Sequence, residues 1–426
     1  MKVLILVCII LIFASCSNKQ ISEKDLFSEA TLKSERDKFY YNTINQTILV
    51  SLSLPLNDST EKKYLSAFWA MELIQFRNQV TDSAIKKSLN EFESRSTEFQ
   101  RALLELIYAL YQDEFRKEIE SLIPKINNPK LFAMCIHYLR NSIANDRLLQ
   151  MTFDFESKFM KAEEDPIIKM LKLDLENNFK KNLPPPQLLD LFKNKFLSNR
   201  LVIFSIQRVN REYPGLLVIK TPEGKFLRND KGEIFSIPQL ARAVSGLPSY
   251  ITNGNTPEGF FSIQGIDVSK NVFIGPTPNL QLVLPFEVKP STYFHNEITD
   301  SIWRFEFYDN LIPQSWKNHY PIYEAYFAGK AGRNEIIAHG TTINPDFYKD
   351  KSYFPFTPSL GCLTTKEIWS DETGQPIESD QIKFFNALAK FKSLNGFFIV
   401  VNIDNQYSSV EIKEIKNFIL QAEGSL

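Results

Sequence analysis

The first half of the chain carries hydrophobic residues at helical spacing. Between residues 25 and 198, short amphipathic segments alternate with polar or proline-bearing joints. In residues 97–112 five apolar side chains fall on one helical face, namely Phe99, Leu103, Leu106, Ile107 and Leu110. Similar segments occupy residues 61–76, 130–141 and 166–179. The pattern predicts a helical domain over residues 21–198, built either as solenoid-like stacked helical pairs or as an irregular helical bundle.

The second half changes to short β-branched and aromatic runs separated by turn formers. Pro184–Pro186 interrupt the helical register, because proline lacks the N–H that a helix needs. The runs that predict strands are 201–206, 216–220, 225–228, 260–266, 280–287, 335–340 and 397–403. Residues 221–224 and 229–232 have the composition of hairpin turns. We expect a β-rich domain with a few helices over residues 199–408, followed by a C-terminal helix in residues 409–426.

The N-terminus has the pattern of an export signal. Lys2 precedes a wholly apolar run that is shorter than the roughly 20 residues needed to span a bilayer. The run closes on Phe13-Ala14-Ser15-Cys16, which resembles the lipobox of bacterial lipoproteins. That resemblance implies a signal over residues 1–16, a lipid on Cys16, and a protein anchored in the cell envelope that faces the periplasm. The alternatives are an ordinary cleaved signal and a weak N-terminal anchor.

Composition and charge narrow the choice of partners. Hydrophobic residues make up 43% of the 426 residues, which is enough for real cores. Lys and Arg total 49 against 50 for Asp and Glu, so no basic excess points to a nucleic acid. No pattern calls for a cofactor. A zinc site made by His339, Cys362 and Asp371 is a weaker alternative, because no short Cys/His spacing supports it.

The two cysteines beyond the signal differ in their surroundings. Cys135 lies in an apolar helical stripe and is expected to pack in a core. Cys362 lies in the turn-like segment TPSLGCLTT, and the two residues either pair in a disulfide or serve separately. A cysteine nucleophile needs a base, and His339 ends a predicted strand and precedes Gly340. Cys362 and His339 are therefore the candidate nucleophile and base.

Three segments in the second half resemble the motifs of L,D-transpeptidases of the YkuD type. They are Thr-Pro-Glu-Gly-Phe-Phe at 256–261, His-Gly-Thr at 339–341 and Ser-Leu-Gly-Cys at 359–362. The resemblance covers roughly residues 200–405. It implies a β-rich catalytic domain that acts on peptidoglycan stem peptides, while the helical domain positions it or recruits a protein partner.

The resemblance also implies roles for individual residues. Cys362 would attack a stem-peptide carbonyl and form a thioester, with His339 as the base, oriented by the backbone near Gly340 and ionising the sulfur at rest. Backbone N–H groups around Gly361 and Cys362 would bind the oxyanion. Ser359 would support the turn by hydrogen bonds. Thr341 and Thr364 would contact the substrate.

The chain departs from the family pattern at two positions. Leu360 stands where many members have His, and Thr364 stands where many have Arg. These departures leave open an acyltransferase, an amidase-like or hydrolytic member of the family, and a non-catalytic binding or scaffold lipoprotein. The aromatic loop 342–358 is either a lid over Cys362 or a segment packed on the sheet.

Overall fold

A computed structural model gives the structure of residues 20–159, 164–177 and 185–424. The predicted signal over residues 1–16, with Cys16, lies outside these residues. Within the described ranges no helix is both long and apolar enough to cross a bilayer. The structure has a helical N-terminal region and a sheet-rich C-terminal region, as the hydrophobic pattern predicts.

The described part of the N-terminal region, residues 20–159, 164–177 and 185–198, contains ten α-helices. They are α1 (Lys33–Asn42), α2 (Ser51–Ser53), α3 (Glu61–Leu73), α4 (Gln79–Asn90), α5 (Thr97–Leu110), α6 (Arg116–Leu122), α7 (Pro129–Leu139), α8 (Asn145–Ser157), α9 (Pro166–Asn177) and α10 (Leu189–Phe192). A π-helical segment, Thr43–Val50, joins α1 to α2. Side-chain caps begin several helices; Ser96, for example, accepts a hydrogen bond from the N–H of Phe99 at 3.2 Å at the start of α5.

Alternate helices of this region form a row. Helix α3 packs on α5, α5 on α7, and α7 on α9. The even-numbered helices α6 and α8 pack beside α7 and α9, which is the packing expected of stacked helical pairs. Helix α7 is buried from Leu131 to Leu139 rather than along one stripe, because the sheet-rich region covers its remaining face. His137 Nε2 lies 2.6 Å from the hydroxyl of Tyr250 there.

Eight strands of the C-terminal region close into a barrel. They are β1 (Leu201–Arg208), β2 (Gly215–Lys220), β3 (Ser236–Leu240), β4 (Gly259–Asp267), β5 (Asn279–Val283), β6 (Ile337–His339), β7 (Leu363–Thr365) and β10 (Gly396–Asp404). Their order around the barrel is β1-β10-β4-β5-β6-β7-β3-β2, and the pairs β1/β10 and β6/β7 are parallel. Strands β8 (Glu367–Trp369) and β9 (Pro376–Ser379) form a separate ribbon.

The C-terminal region, as far as the structure describes it, also contains five α-helices. They are α11 (Pro290–Tyr293), α12 (Phe305–Asp309), α13 (Glu324–Lys330), α14 (Asp380–Leu388) and α15 (Ile412–Ala422).

The predicted strand over 225–228 is wrong: this stretch makes only isolated bridges, Lys220 with Phe226 and Arg228 with Ile234. Strands β3, β7, β8 and β9 were not predicted, because these short segments lack an apolar run.

The two regions share one hydrophobic core. Buried side chains of α3 to α10 and of the barrel belong to a single contiguous cluster. Phe192 of α10, for example, packs on Phe204 and Phe226 with ring centroids 5.0 Å apart in both cases. The helices before residue 198 and the strands after residue 199 therefore contribute side chains to the same core.

Arg208 joins the barrel to the C-terminal helix. Its side chain is buried at the end of β1. Nη1 lies within hydrogen-bond distance of both carboxylate oxygens of Asp404, and Nη2 within that distance of both carboxylate oxygens of Glu414. The guanidinium also donates to the carbonyls of Ser408 and Ser409. Both carboxylates would lose a buried partner if this side chain were removed.

The Arg208→Met substitution should lower the free energy of unfolding by about 3 kcal/mol, because breaking a buried ion pair leaves its partners uncompensated. Urea denaturation of both proteins measures the difference. Arg304→Met is the matched control: Arg304 pairs with Asp300 on the surface, with side chains 59% and 50% exposed, and should cost less than about 1 kcal/mol. Equal losses in the two variants would contradict the role given to Arg208.

Candidate active site

The pairing of β6 with β7 sets the position of the candidate nucleophile and base. Ala338 pairs with Leu363 and His339 with Thr364 in parallel register. Ala338 and Leu363 are completely buried in the barrel core. Side chains alternate along a strand, so His339 points to the opposite face of the sheet.

Cys362 immediately precedes β7 and lies beside Ile337 when the register is extended by one residue. Its Sγ is 3.5 Å from the N–H nitrogen of Ile337 and 3.5 Å from the carbonyl oxygen of Glu335. Cys362 and His339 therefore lie on neighbouring strands and on the same face of the sheet, two register positions apart. No hydrogen bond joins the two side chains in this structure.

The His339 ring is held by the backbone that follows it. Its side chain is 5% exposed, and Nδ1 lies 2.5 Å from the carbonyl oxygen of Gly340. A carbonyl only accepts, so this contact assigns the proton to Nδ1 and leaves Nε2 free to accept one. Burial lowers the pKa of His339 to about 4, and the bond to Gly340 offsets only part of that effect.

The Cys362 thiol is also neutral at rest. Burial raises the pKa of Cys362, while the Ile337 N–H, the Arg333 charge and the Ser359 hydroxyl lower it and Glu335 raises it further. With the pKa of His339 near 4, neither side chain is charged at neutral pH. The expectation of a sulfur ionised at rest is therefore wrong, because burial disfavours both charges.

The turn before Cys362 is held by a serine and by a glycine with positive φ. The Ser359 hydroxyl donates to the Cys362 carbonyl at 3.0 Å and accepts from the Gly361 N–H at 3.1 Å. Gly361 has φ +106°, a conformation that favours glycine. Since Ser359 already occupies the Gly361 N–H, that group is not available to an oxyanion, and the Cys362 N–H remains as the candidate donor of this pair.

The Thr-Pro segment contacts the cysteine turn directly. Thr256 is completely buried and donates its hydroxyl to the carbonyl of Gly361 at 3.0 Å. The same hydroxyl lies 3.4 Å from the carbonyl of Cys362. The three segments that carry the family resemblance therefore meet at one place in the fold.

Glu367 is a site residue that the sequence analysis missed. Its buried carboxylate accepts from the Thr341 N–H at 2.8 Å, from the Thr277 hydroxyl at 2.8 Å and from the Ser379 hydroxyl at 2.6 Å. A Cβ on Gly340 would lie 2.1 Å from this carboxylate, so Gly340 is required by space rather than by flexibility. Glu367 thus supports the backbone that orients His339. No sequence motif signals it.

Thr341 and Thr364 do not have the surroundings of substrate-binding side chains. Thr341 is buried, and its carbonyl accepts from the indole N–H of Trp369 at 2.8 Å. Thr364 is buried and donates its hydroxyl to the carbonyl of Thr357 at 2.7 Å. Both residues therefore form hydrogen bonds within the protein, to Trp369 and to Thr357, beside the candidate site.

The aromatic loop 342–358 packs against the rest of the protein. Tyr348, Tyr353 and Phe356 form a small core with Leu240, and the Tyr348 hydroxyl donates to the carbonyl of Leu73 in α3 at 2.8 Å. Phe354 alone among the five aromatics is largely exposed, at 43%. The packing alternative for this loop is thus the one seen in the structure.

Two alternatives from the sequence concern a disulfide between Cys135 and Cys362 and a zinc site. Cys135 and Cys362 are both free, and Cys135 is completely buried in α7. No group of three or more His, Cys, Asp or Glu side chains in the described part of the chain could hold a metal ion.

Substitutions at Glu367 should separate the effect of its charge on stability from the effect of its hydrogen bonds. Burial raises the pKa of Glu367 to about 7, above an unfolded value of about 4.3. Ionisation of Glu367 therefore opposes folding. The free energy of unfolding that the protonated carboxyl contributes is fully present below pH ~4.3, and it is lost as the pH rises towards 7. We expect the melting temperature of the wild type to fall between pH 5 and pH 8 more than that of Glu367→Gln.

Glu367→Ala is the companion variant. It removes the acceptor of three buried donors and should cost about 3 kcal/mol at either pH, measured by thermal or chemical unfolding. If the Gln variant showed the same pH slope as the wild type, the raised pKa of this carboxyl would be refuted.

Comparison with known proteins identifies no family for this chain. No family model matches the sequence, no curated protein matches it, and no solved structure matches its fold. The resemblance to L,D-transpeptidases therefore depends on the segments at 256–261, 339–341 and 359–362.

Proposed function

We propose that the protein is a cell-envelope enzyme that forms a thioester between Cys362 and a peptidoglycan stem peptide, then transfers the acyl group to an amine or to water. The observation that carries this proposal is the parallel register of β6 and β7, in which Cys362 and His339 occupy the same face on neighbouring strands. The free Nε2 of His339 and the turn built by Ser359 also support it.

The reaction uses His339 as a general base and then as a general acid. Sγ of Cys362 attacks a peptide carbonyl carbon while Nε2 of His339 takes the thiol proton, and the Cys362 N–H donates to the oxyanion. The C–N bond then breaks, and the leaving amine of the terminal D-amino acid takes the proton from His339. An incoming amine or water attacks the thioester with His339 again as base, and the C–S bond breaks to restore Cys362.

The surroundings of Cys362 differ from the family pattern at two positions. Leu360, two residues before Cys362, is 49% exposed where many family members carry His. Thr364, at the position of the usual Arg, is buried and provides no cation for a substrate carboxylate. These two differences support an amidase-like or hydrolytic member as much as a cross-linking transpeptidase.

The helical region would position the enzyme or recruit a protein partner. Tyr40, Tyr41 and Trp69 expose 45%, 63% and 40% of their surface on this region. A lipid on Cys16 would anchor the protein to a membrane and place the site near the cell wall.

A second candidate function is a binding or scaffold lipoprotein without turnover. The observation that favours it is the lack of a hydrogen bond between Cys362 and His339, together with a pKa of Cys362 raised by burial. An inert protein would bind stem peptides without forming a covalent adduct.

Mass spectrometry of purified protein mixed with a stem tetrapeptide or a carbapenem tests the thioester. The wild type should gain the mass of the acyl group, and Cys362→Ala should gain none, because the nucleophile is absent. Cys135→Ala is the matched control and should react like the wild type, since Cys135 is completely buried in α7. Defined muropeptides, analysed in the same way, distinguish cross-linking, trimming and release. A wild type that forms no adduct with any of these reagents would contradict catalysis and leave the scaffold function.

The pH dependence of acylation reports the protonation of His339. A base must be neutral to accept a proton, and burial lowers the pKa of His339 to about 4. We expect the second-order rate of acylation to stay level from pH 8 to about pH 5 and to fall only as the pH approaches 4. Tryptophan fluorescence over the same range checks that the protein stays folded. An acid limb centred near pH 6.5 would show an ordinary histidine and would contradict the neutral resting pair.

A further inference from the structure

We propose that Arg333 is the positioning residue of this site, holding the Gly361 turn and stabilising the thiolate of Cys362 as it forms. The proposal rests on the proposed function and assigns to Arg333 the positive charge that this chain lacks at Leu360 and Thr364. Nothing in the sequence motifs points to this residue, which lies six positions before His339.

The Arg333 side chain is buried and reaches the cysteine turn. It follows α13 after a turn at Gly332 and is 7% exposed. Its guanidinium donates to the carbonyls of Ser249 and Gly254, to that of Asn255 at 2.6 Å and to that of Gly361 at 3.4 Å. One side chain thus ties three carbonyls of a neighbouring loop to the residue before the nucleophile.

Arg333 also explains why residue 361 is a glycine. A Cβ built on Gly361 would lie 1.9 Å from the Nη2 of Arg333 and 2.4 Å from the carbonyl oxygen of Gly254. No side chain fits in that space. The close approach that glycine permits here is therefore to the guanidinium rather than to a substrate.

The charge of Arg333 has no anionic partner within ion-pair distance among the residues that the structure describes. Its hydrogen-bond acceptors are all neutral carbonyls. Glu324 is the carboxylate whose charge acts on it, but burial raises the pKa of Glu324 to about 7, so that this charge is partial at neutral pH. A buried cation without a full counter-charge favours a nearby anion.

Cys362 is the group beside Arg333 that becomes an anion during the reaction. The charged and titratable groups that face it are Arg333, which favours the thiolate, Glu335, which disfavours it, and His339, which is neutral. The Ile337 N–H, 3.5 Å from Sγ, adds a neutral donor. Arg333 therefore supplies the positive charge that offsets part of the cost of burying a thiolate.

Alkylation of Cys362 by iodoacetamide, followed on its own peptide by mass spectrometry from pH 6 to pH 11.5 so that the range brackets a raised thiol pKa, tests the proposal. The pH at half-maximal rate reports the thiol pKa. We expect Arg333→Gln to raise this midpoint by about one unit and to slow alkylation roughly tenfold at pH 7, with the same rate at high pH. Burial lowers the pKa of Arg333 to about 10, so Arg333→Lys keeps only part of the charge and should shift the midpoint less than Arg333→Gln does. Equal midpoints in the wild type and Arg333→Gln would overturn the proposal, as would equal shifts in the Gln and Lys variants.

Glu335→Gln is the matched control, because it removes an exposed negative charge that disfavours the thiolate. It should lower the midpoint, opposite to Arg333→Gln, and an upward shift would contradict the electrostatic account. Circular dichroism of each variant checks folding.

A further measurement leaves Arg333 intact and so does not depend on the folding of its variants. In Glu335→Gln, the rate ratio of anionic iodoacetate to neutral iodoacetamide at Cys362 should exceed that of the uncharged thiol N-acetylcysteine amide severalfold at low salt, and the excess should shrink as salt is added. A ratio no higher than that of the small thiol would overturn the proposal. Neither assay uses peptidoglycan, so a failure here is distinguishable from a failure of the muropeptide reaction.

Discussion

The parallel pairing of β6 with β7 is the contact on which the candidate site depends. Burial of Ala338 and Leu363 in the barrel core sets the register of the two strands. A slip of one residue would turn His339 into the core and move Cys362 to another face. Hydrophobic packing therefore decides which side chains meet, and the polar contacts around them adjust a geometry that the core has already set.

Burial also governs the chemistry of the site. It disfavours the charged forms of both His339 and Cys362, so both side chains are neutral at rest. Two further buried charged residues support this pair from either end. Glu367 holds the backbone after His339, and Arg333 holds the carbonyl before Cys362. The ionisable side chains of Arg333 and Glu367 thus flank His339 and Cys362, which are themselves neutral.

The helical region is part of the same structural unit as the site. The loop 249–255, whose carbonyls bind Arg333, also contacts the helices, where Lys130 donates to the Thr252 hydroxyl at 2.7 Å. The helices and the Gly361 turn therefore hold the same loop from two sides. The shared hydrophobic core also joins the helices to the barrel, because Phe192 of α10 packs on Phe204 of β1.

The apolar spacing of the sequence determined the helices near 61–76, 97–112, 130–141 and 166–179 and the strands β1, β2, β4 and β10, because these patterns are local. Sequence reasoning also named Cys362 and His339 as the candidate nucleophile and base of one region. Only the tertiary structure decided the register between them, the polar strands β3 and β7 to β9, and the contacts of Glu367 and Arg333. The physical reason is that burial, which sets both strand pairing and the pKa values, arises from contacts between segments distant in sequence, and no local pattern records those contacts.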